Sequence, residues 1–288
     1  MCIRDSNCGE DNTAVGYQAG LNVSGASNTI MGHSAMGSGT HSGNYSSAFG
    51  FQALKASTTG NNDAFGTSAL LTVTTGTGNA AFGRGSLQVN TANYNSAFGH
   101  EAMVATTTGA NSVAFGYQAL HDNTTGADNT AVGSIALDAN TTGSNNNAFG
   151  RDALGKNTTG DHNCAFGQST LSNNTTANDN SAFGNSALHL NTTGTYNTAV
   201  GRQSLYNNTT ASYNTAVGYN SLYNVTTSPY NTAIGYQAGD AITTGSGHNA
   251  LIGYGAGGSL TTGPFNTALG CLLYTSPSPR DRTRSRMP

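Results

Sequence analysis

Carboxylate and histidine side chains are the groups in this chain that most often carry enzyme or metal chemistry. Only two of the thirteen acidic residues are glutamates, Glu10 and Glu101. Hydrolysis of a glycosidic bond needs two carboxylates at a fixed separation, and the aspartates here fall at changing places in the sequence. The seven histidines, among them His33 and His121, keep no constant metal-ligand spacing. We therefore predict that the protein is not an enzyme, has no metal site and uses no cofactor.

Two further motifs are open to a functional and to a structural interpretation. Tyr117, Tyr219 and Tyr236 each follow a glycine; exposed rows of tyrosine stack on sugar rings, whereas buried ones fill a corner of the fold. These three are the candidate receptor-facing residues. Asn-x-Thr sequons are either glycosylation sites or turn-forming segments, and we favour the turns. The sequons begin at Asn123, Asn140, Asn157, Asn174, Asn191 and Asn208.

All of these residues sit within one repeating unit of about seventeen residues. Each copy is centred on a glycine preceded by an apolar residue, and successive central glycines are sixteen to eighteen residues apart. A fixed period of this length indicates a repeat architecture. Seven repeat glycines with a constant spacing of seventeen residues are Gly116, Gly133, Gly150, Gly167, Gly184, Gly201 and Gly218.

The residues around the central glycine predict the core. Asn is found four places before it and Ala two places before it in fourteen of sixteen copies, and Leu or Met four places after it in twelve of fifteen. The large residue directly before the glycine is apolar in every copy, so we predict that it points inward. The predicted core residues are Phe49, Phe65, Phe82, Phe98, Phe115, Val132, Phe149, Phe166, Phe183, Val200, Val217 and Ile234.

The repeat favours strands and turns over helices. Gly and β-branched Thr disfavour a helix, and each copy is a short apolar run closed by Asn and Gly turn residues. The sequence therefore predicts an all-β fold, a β-solenoid or parallel β-roll of about sixteen 17-residue rungs. A corner at the central glycine brings the apolar residue before it and the Leu after it to the inside. Aligned asparagines form hydrogen-bonded ladders between rungs.

The two ends do not share the repeat. Residues 1–6 and 271–288 contain five of the ten basic residues and three of the five prolines. Back-translation of both ends produces one short DNA element in opposite orientations, similar to a transposase adapter from sequencing libraries. We therefore interpret residues 1–6 and 271–288 as adapter-derived, and residues 7–270 as a repeat domain from a longer protein.

Composition excludes several classes of function and points to self-association. Charged residues make up 8% of the chain, no apolar run is long enough to span a membrane, and no basic patch suggests a nucleic-acid partner. Two large apolar residues per rung offer little burial for seventeen ordered residues. We therefore predict a parallel homotrimer, in which a stripe of small residues including Ala131, Ala148, Ala165 and Ala182 lies between the chains.

The motifs Asn-Thr-Ala-Val-Gly, as at Asn197 to Gly201, and Asn-Ser-Ala-Phe-Gly carry a resemblance to a known family. They resemble the head repeats of YadA-like trimeric autotransporter adhesins. They are also similar to repeats of phage tail fibres that end in an endosialidase-type chaperone. The resemblance implies a left-handed parallel β-roll, three chains side by side and an attachment role.

The expected location is thus extracellular, on a bacterial surface or a phage virion, and the expected partner is a host-surface protein or glycan. The alternative function is ice binding, which threonine ladders on a solenoid carry. The two adjacent threonines of each repeat point to opposite sides, so only one ladder faces outward.

Overall fold

The chain is an all-β parallel β-solenoid with a repeat of about seventeen residues, as predicted. The computed structural model describes residues 9–271, and within them every regular element is a three-residue strand. The predicted adapter segments fall outside the described residues, except for Cys271. The strands are β1 Thr13–Val15, β2 Thr29–Met31, β3 Ser47–Phe49, β4 Asp63–Phe65, β5 Ala80–Phe82, β6 Ser96–Phe98, β7 Val113–Phe115, β8 Thr130–Val132, β9 Asn147–Phe149, β10 Cys164–Phe166, β11 Ser181–Phe183, β12 Thr198–Val200, β13 Thr215–Val217, β14 Thr232–Ile234, β15 Ala250–Ile252 and β16 Thr267–Leu269.

The described residues form two compact units that divide between Asn163 and Cys164. The first unit contains β1 to β9 and the second contains β10 to β16, and in each unit every strand pairs in parallel with the next one along the chain. The pairing register joins equivalent residues of successive repeats, such as Ala131 with Ala148 in the first unit and Ala199 with Ala216 in the second. Because one strand is contributed by each repeat, every repeat is one rung.

The central glycines turn the chain at the end of each strand. Their φ angles lie between +125° and +149°, a region that residues with a side chain rarely adopt. A Cβ atom on Gly201 would also lie 2.6 Å from the carbonyl oxygen of Gly218 in the next rung. Both the backbone angle and the close stacking of rungs therefore require glycine at this corner.

Small alanines and one leucine per rung fill the interior. The alanine two places before the central glycine and the leucine four places after it are fully buried, as Ala131 and Leu137 are in the rung of Gly133. Leu137 has a φ of +52°, a left-handed conformation that is costly for a leucine. Burial of its side chain offsets that cost, since a buried leucine contributes roughly 1.5–3 kcal/mol.

Two files of buried asparagine connect the rungs, as predicted. In the first file, four places before the glycine, the backbone N–H of Asn146 donates to Oδ1 of Asn129 at 2.9 Å. In the second file, seven places after it, Nδ2 of Asn140 donates to Oδ1 of Asn123 at 2.8 Å and to the carbonyl oxygen of Gly143 at 2.9 Å. These bonds satisfy amides that would be costly to bury alone.

Candidate functional site

The large apolar residue before each central glycine faces solvent, so the prediction that it forms the core is wrong. Phe115 is 58% exposed and Phe183 is 40% exposed, while the alanine before each of them is fully buried. Side chains alternate along a strand, and the buried asparagine and alanine already occupy the two inward places. The outward residues form the outer apolar file, whose members are the twelve predicted core residues Phe49, Phe65, Phe82, Phe98, Phe115, Val132, Phe149, Phe166, Phe183, Val200, Val217 and Ile234.

Phenylalanine rings stack along the outer apolar file in the first unit. The ring of Phe65 lies between those of Phe49 and Phe82, with centroid distances of 4.7 and 4.6 Å and interplanar angles of 6°. Phe82 stacks on Phe98 in the same way at 4.8 Å. The rings contact one another but leave their outer edges to solvent, so each unit presents a continuous apolar stripe along its strands.

The alanines that we expected between chains lie inside their own coil. Ala131, Ala148, Ala165 and Ala182 are all fully buried. They point inward because each occupies the middle of its three-residue strand. A partner chain therefore cannot reach them, so the prediction that these alanines lie between chains is wrong.

The sequon asparagines are structural. All six are fully buried, and they make up the second asparagine file. Asn157 donates to Oδ1 of Asn140 at 2.9 Å in the first unit, and Asn208 donates to Oδ1 of Asn191 at 2.8 Å in the second. No carbohydrate can reach these amides in the folded chain, which agrees with the turn interpretation.

The threonines that follow these asparagines divide into a bonded file and a free file. The hydroxyl of Thr192 donates to the carbonyl oxygen of Thr209 at 3.0 Å, and that of Thr209 donates to Thr226 at 3.1 Å. The next threonine of each pair is exposed and its hydroxyl has no partner in residues 9–271. These residues are the outer threonine file, Thr108, Thr125, Thr142 and Thr159 in the first unit and Thr176, Thr193, Thr210, Thr227, Thr244 and Thr262 in the second.

The three candidate receptor-facing tyrosines are exposed next to the central glycine. The ring of Tyr117 stacks on that of His100 at 5.7 Å. In the second unit Tyr219 stacks on Tyr236 at 5.3 Å, and the guanidinium carbon of Arg202 lies 5.8 Å from the centroid of Tyr219. The structure thus brings Tyr219 and Tyr236 together but places Tyr117 in the other unit.

A second aromatic file, which the sequence analysis did not single out, lies at the polar turn five places before the central glycine. It is the turn aromatic file, and its members in the second unit are Tyr196, Tyr213, Tyr230, His248 and Phe265. Successive ring centroids are 5.0, 5.0, 4.8 and 5.0 Å apart. The sequence signal that could have identified this file is the recurrence of tyrosine every seventeen residues at Tyr196, Tyr213 and Tyr230.

Titratable groups in the described part of the chain are the candidates for metal binding and for nucleophilic chemistry. Between residues 9 and 271, no group of three or more His, Cys, Asp or Glu side chains is placed to hold a metal ion. Burial raises the pKa of Asp138, and the carboxylate of Asp122 raises it further. Burial also raises the pKa of the Cys164 thiol, which leaves it protonated and a poor nucleophile.

Comparison with known proteins returned no match among protein-family models, curated proteins or solved structures. Within residues 9–271 there is also no helix with the length and apolar character needed to cross a bilayer.

Proposed function

We propose that this chain is a non-enzymatic attachment segment, the repeat head or shaft of a bacterial cell-surface adhesin or of a phage tail fibre. In this role it acts outside the cell, on the bacterial surface or on the virion, and binds a host-surface protein or glycan. The observation that carries the proposal is the outer apolar file, which places a partly or fully exposed apolar side chain on each strand from β3 to β14. An uninterrupted exposed apolar stripe is typical of an interaction surface.

The occupant of the outer apolar file in this proposal is a second and third copy of the chain, forming a parallel homotrimer. Identical chains with one rung per repeat match their files rung by rung, so each added repeat contributes the same contact. A closed cyclic arrangement of identical subunits covers the stripe on every chain. The charge-poor composition favours such packing, since few ionic groups have to be desolvated.

The attachment role is tested with purified, fluorescently labelled protein and a panel of bacterial and animal cells. The proposal predicts saturable binding to at least one cell type, and competition by the unlabelled protein. A matched control is the same chain after thermal unfolding, which loses the spacing of its surface files. Absence of saturable binding across the panel by a chain that is folded and trimeric would contradict the attachment role.

Ice binding is the second candidate, and the outer threonine file favours it. Its hydroxyls and methyl groups recur once per rung and have no partner within the described residues. The file lies where the chain bends, so it presents a single row of threonines. Thermal hysteresis of the purified protein is the test, with Thr142, Thr159 and Thr176 replaced by Lys as the control that removes the file from three rungs.

A further inference from the structure

The polar turn of the second unit carries two parallel files with complementary chemistry. The outer threonine file presents a free hydroxyl in each rung, as at Thr193 and Thr210. Three residues further along the same turn, the turn aromatic file presents a ring, as at Tyr196 and Tyr213. Aromatic surface next to hydrogen-bonding groups is the usual composition of a site that binds sugars. This combination is named the turn edge.

The rings of the turn edge are about half exposed. Tyr196, Tyr213 and Tyr230 are 52%, 49% and 48% exposed. Their planes are within 9° and 4° of parallel, with centroids 5.0 Å apart. The rings therefore form an ordered, accessible aromatic row, which offers apolar surface to the C–H groups of sugar rings.

The backbone at this position makes aromatic residues an unexpected choice. Tyr196, Tyr213 and Tyr230 have φ angles of +56°, +61° and +58°. Asparagine and aspartate tolerate this left-handed region better than a bulky residue does, and Asn145 and Asp179 stand at the same place in other rungs. Five consecutive rungs of the second unit nevertheless carry a ring there. Local rules of this kind are broken most often at functional sites.

The turn edge also carries no carboxylate, ammonium or guanidinium group. Between Thr193 and Phe265 the acidic and basic side chains other than His248 are Arg202 and Asp240, and neither belongs to the outer threonine file or the turn aromatic file. The edge therefore offers rings and hydroxyls, with the imidazole of His248 as its one basic group, and little to attract an ionic polymer. A neutral ligand fits this surface best.

We propose that the turn edge binds an extended, uncharged β-linked polysaccharide that runs parallel to the stack of rungs, with one sugar ring against each rung. The ring spacing of 4.8–5.0 Å is close to the advance per sugar of an extended β-1,4-linked chain, so sugar and rung stay in register. Five rungs then act together, and affinity grows with the number of sugars engaged. This inference rests on the proposed attachment function and names the class of its receptor.

The test is calorimetric titration of the full chain with β-1,4-linked hexasaccharides of glucose, N-acetylglucosamine and mannose. Maltohexaose, whose α-linked chain coils, is the matched control ligand. We expect at least one extended hexasaccharide to bind, maltohexaose to bind at least about tenfold more weakly, and affinity to rise with length up to about five sugars. Failure of all three extended ligands to bind the folded chain would overturn the inference.

The residues are tested with two variants that remove one ring each. Tyr213→Asn should raise the dissociation constant at least about tenfold, because it interrupts the turn aromatic file. Asparagine is chosen because Asn145 occupies the same place in the turn of another rung. Tyr219→Asn tests the competing site, the candidate receptor-facing tyrosines beside the central glycine, with the residue that Asn185 places there in an earlier rung. If the turn edge is the site, this change should alter affinity by less than about twofold. Tyr230→Asn repeats the test if Tyr213→Asn lowers the unfolding temperature. Loss of binding in Tyr219→Asn alone would place the site beside the glycine instead.

The outcomes separate this inference from the attachment role. If the chain attaches to cells but binds none of the hexasaccharides, only the glycan assignment is contradicted. If it binds a hexasaccharide through Tyr213 yet attaches to no cell, the attachment role is contradicted and the binding site stands.

Discussion

At the scale of single residues, a large side chain at one inward position compensates for a missing side chain at an inward position of the neighbouring rung. Leu251 stands where most rungs carry alanine, and Gly239 stands where most carry leucine. A Cβ atom on Gly239 would lie 2.7 Å from Cδ1 of Leu251. The side chain of Leu251 therefore fills the space that the missing leucine leaves. Ile30 and Gly20 form the same pair in the first unit, with a distance of 2.9 Å.

This exchange predicts a coupled pair of mutations. Leu251→Ala should destabilise the protein by about 2–5 kcal/mol by leaving a cavity, and Gly239→Leu should destabilise it by about 1–3 kcal/mol by overpacking. The double variant restores the common leucine in the rung of Gly235, although the space at Gly257, which Leu251 also fills, stays empty. It should still be more stable than the sum of the single changes predicts. Denaturant titration of the four proteins measures the coupling. Additive effects would show that the two side chains do not share one space.

The second asparagine file predicts a large effect from one amide. Asn140→Ala breaks the bonds from Nδ2 of Asn140 to Asn123 and Gly143 and the bond from Asn157 to Oδ1 of Asn140. Because buried groups are left unpaired, we expect a loss of about 3 kcal/mol in chemical denaturation. Thr142→Ala, at an exposed place in the same turn, is the control and should stay within about 0.5 kcal/mol. Equal effects of the two changes would contradict a structural role for the file.

At the scale of the rung, alternation along a three-residue strand decides which side chains are buried. The seventeen-residue period, the glycine corner and the asparagine ladders were all predictable, since each depends on a residue type at a fixed place. The face of the strand that is buried was not predicted correctly, because a large apolar residue is expected in the core and an alanine is tolerated at the surface. Ala81 is fully buried whereas Phe82 is not, because the core is thin: the inward place holds alanine, or a larger residue such as Leu251 only where a glycine replaces a leucine. The turn aromatic file was also missed, because its members stand out only once the rungs are stacked.

One rung of the first unit carries a buried histidine, which predicts acid sensitivity. His41 lies between Val23 and Ser57, its Nδ1 is 3.2 Å from the carbonyl oxygen of Ser57, and its Nε2 has no partner. Burial lowers its pKa, against the smaller opposing effect of hydrogen bonds to backbone carbonyls. The unfolded chain therefore binds a proton more readily than the folded one, so stability is full above about pH 6.5 and falls as the pH drops below it.

Hydrogen exchange of amides in residues 20–60 at several pH values measures this effect. Exchange protection should fall below about pH 6.5 in the natural chain. His41→Asn, which places the residue of the second asparagine file at this position, should remove the pH dependence. Protection that falls equally in His41→Asn would assign the acid sensitivity to another group.

At the scale of the whole molecule, the outer apolar file is apolar surface that a single chain leaves accessible to water. Replacing Phe65, Phe82 and Phe98 by Glu puts three like charges on neighbouring rungs of that stripe. The coil should still fold, because these side chains face outward, but the chains should no longer associate, since a charge buried at an interface is costly. The matched control replaces Thr125, Thr142 and Thr159 by Glu in the outer threonine file. Circular dichroism checks folding, and dissociation of both variants alike would argue against the outer apolar file as the interface.

Association of three chains through the outer apolar file can be measured by sedimentation equilibrium of residues 7–270. The segment is fused to a trimeric coiled coil that sets the register, and the coiled coil is then removed by cleavage. We expect one folded species with three times the mass of the chain after cleavage, stable on dilution. A folded monomer that persists at high protein concentration would show that a single coil suffices and that the chain is not a trimer.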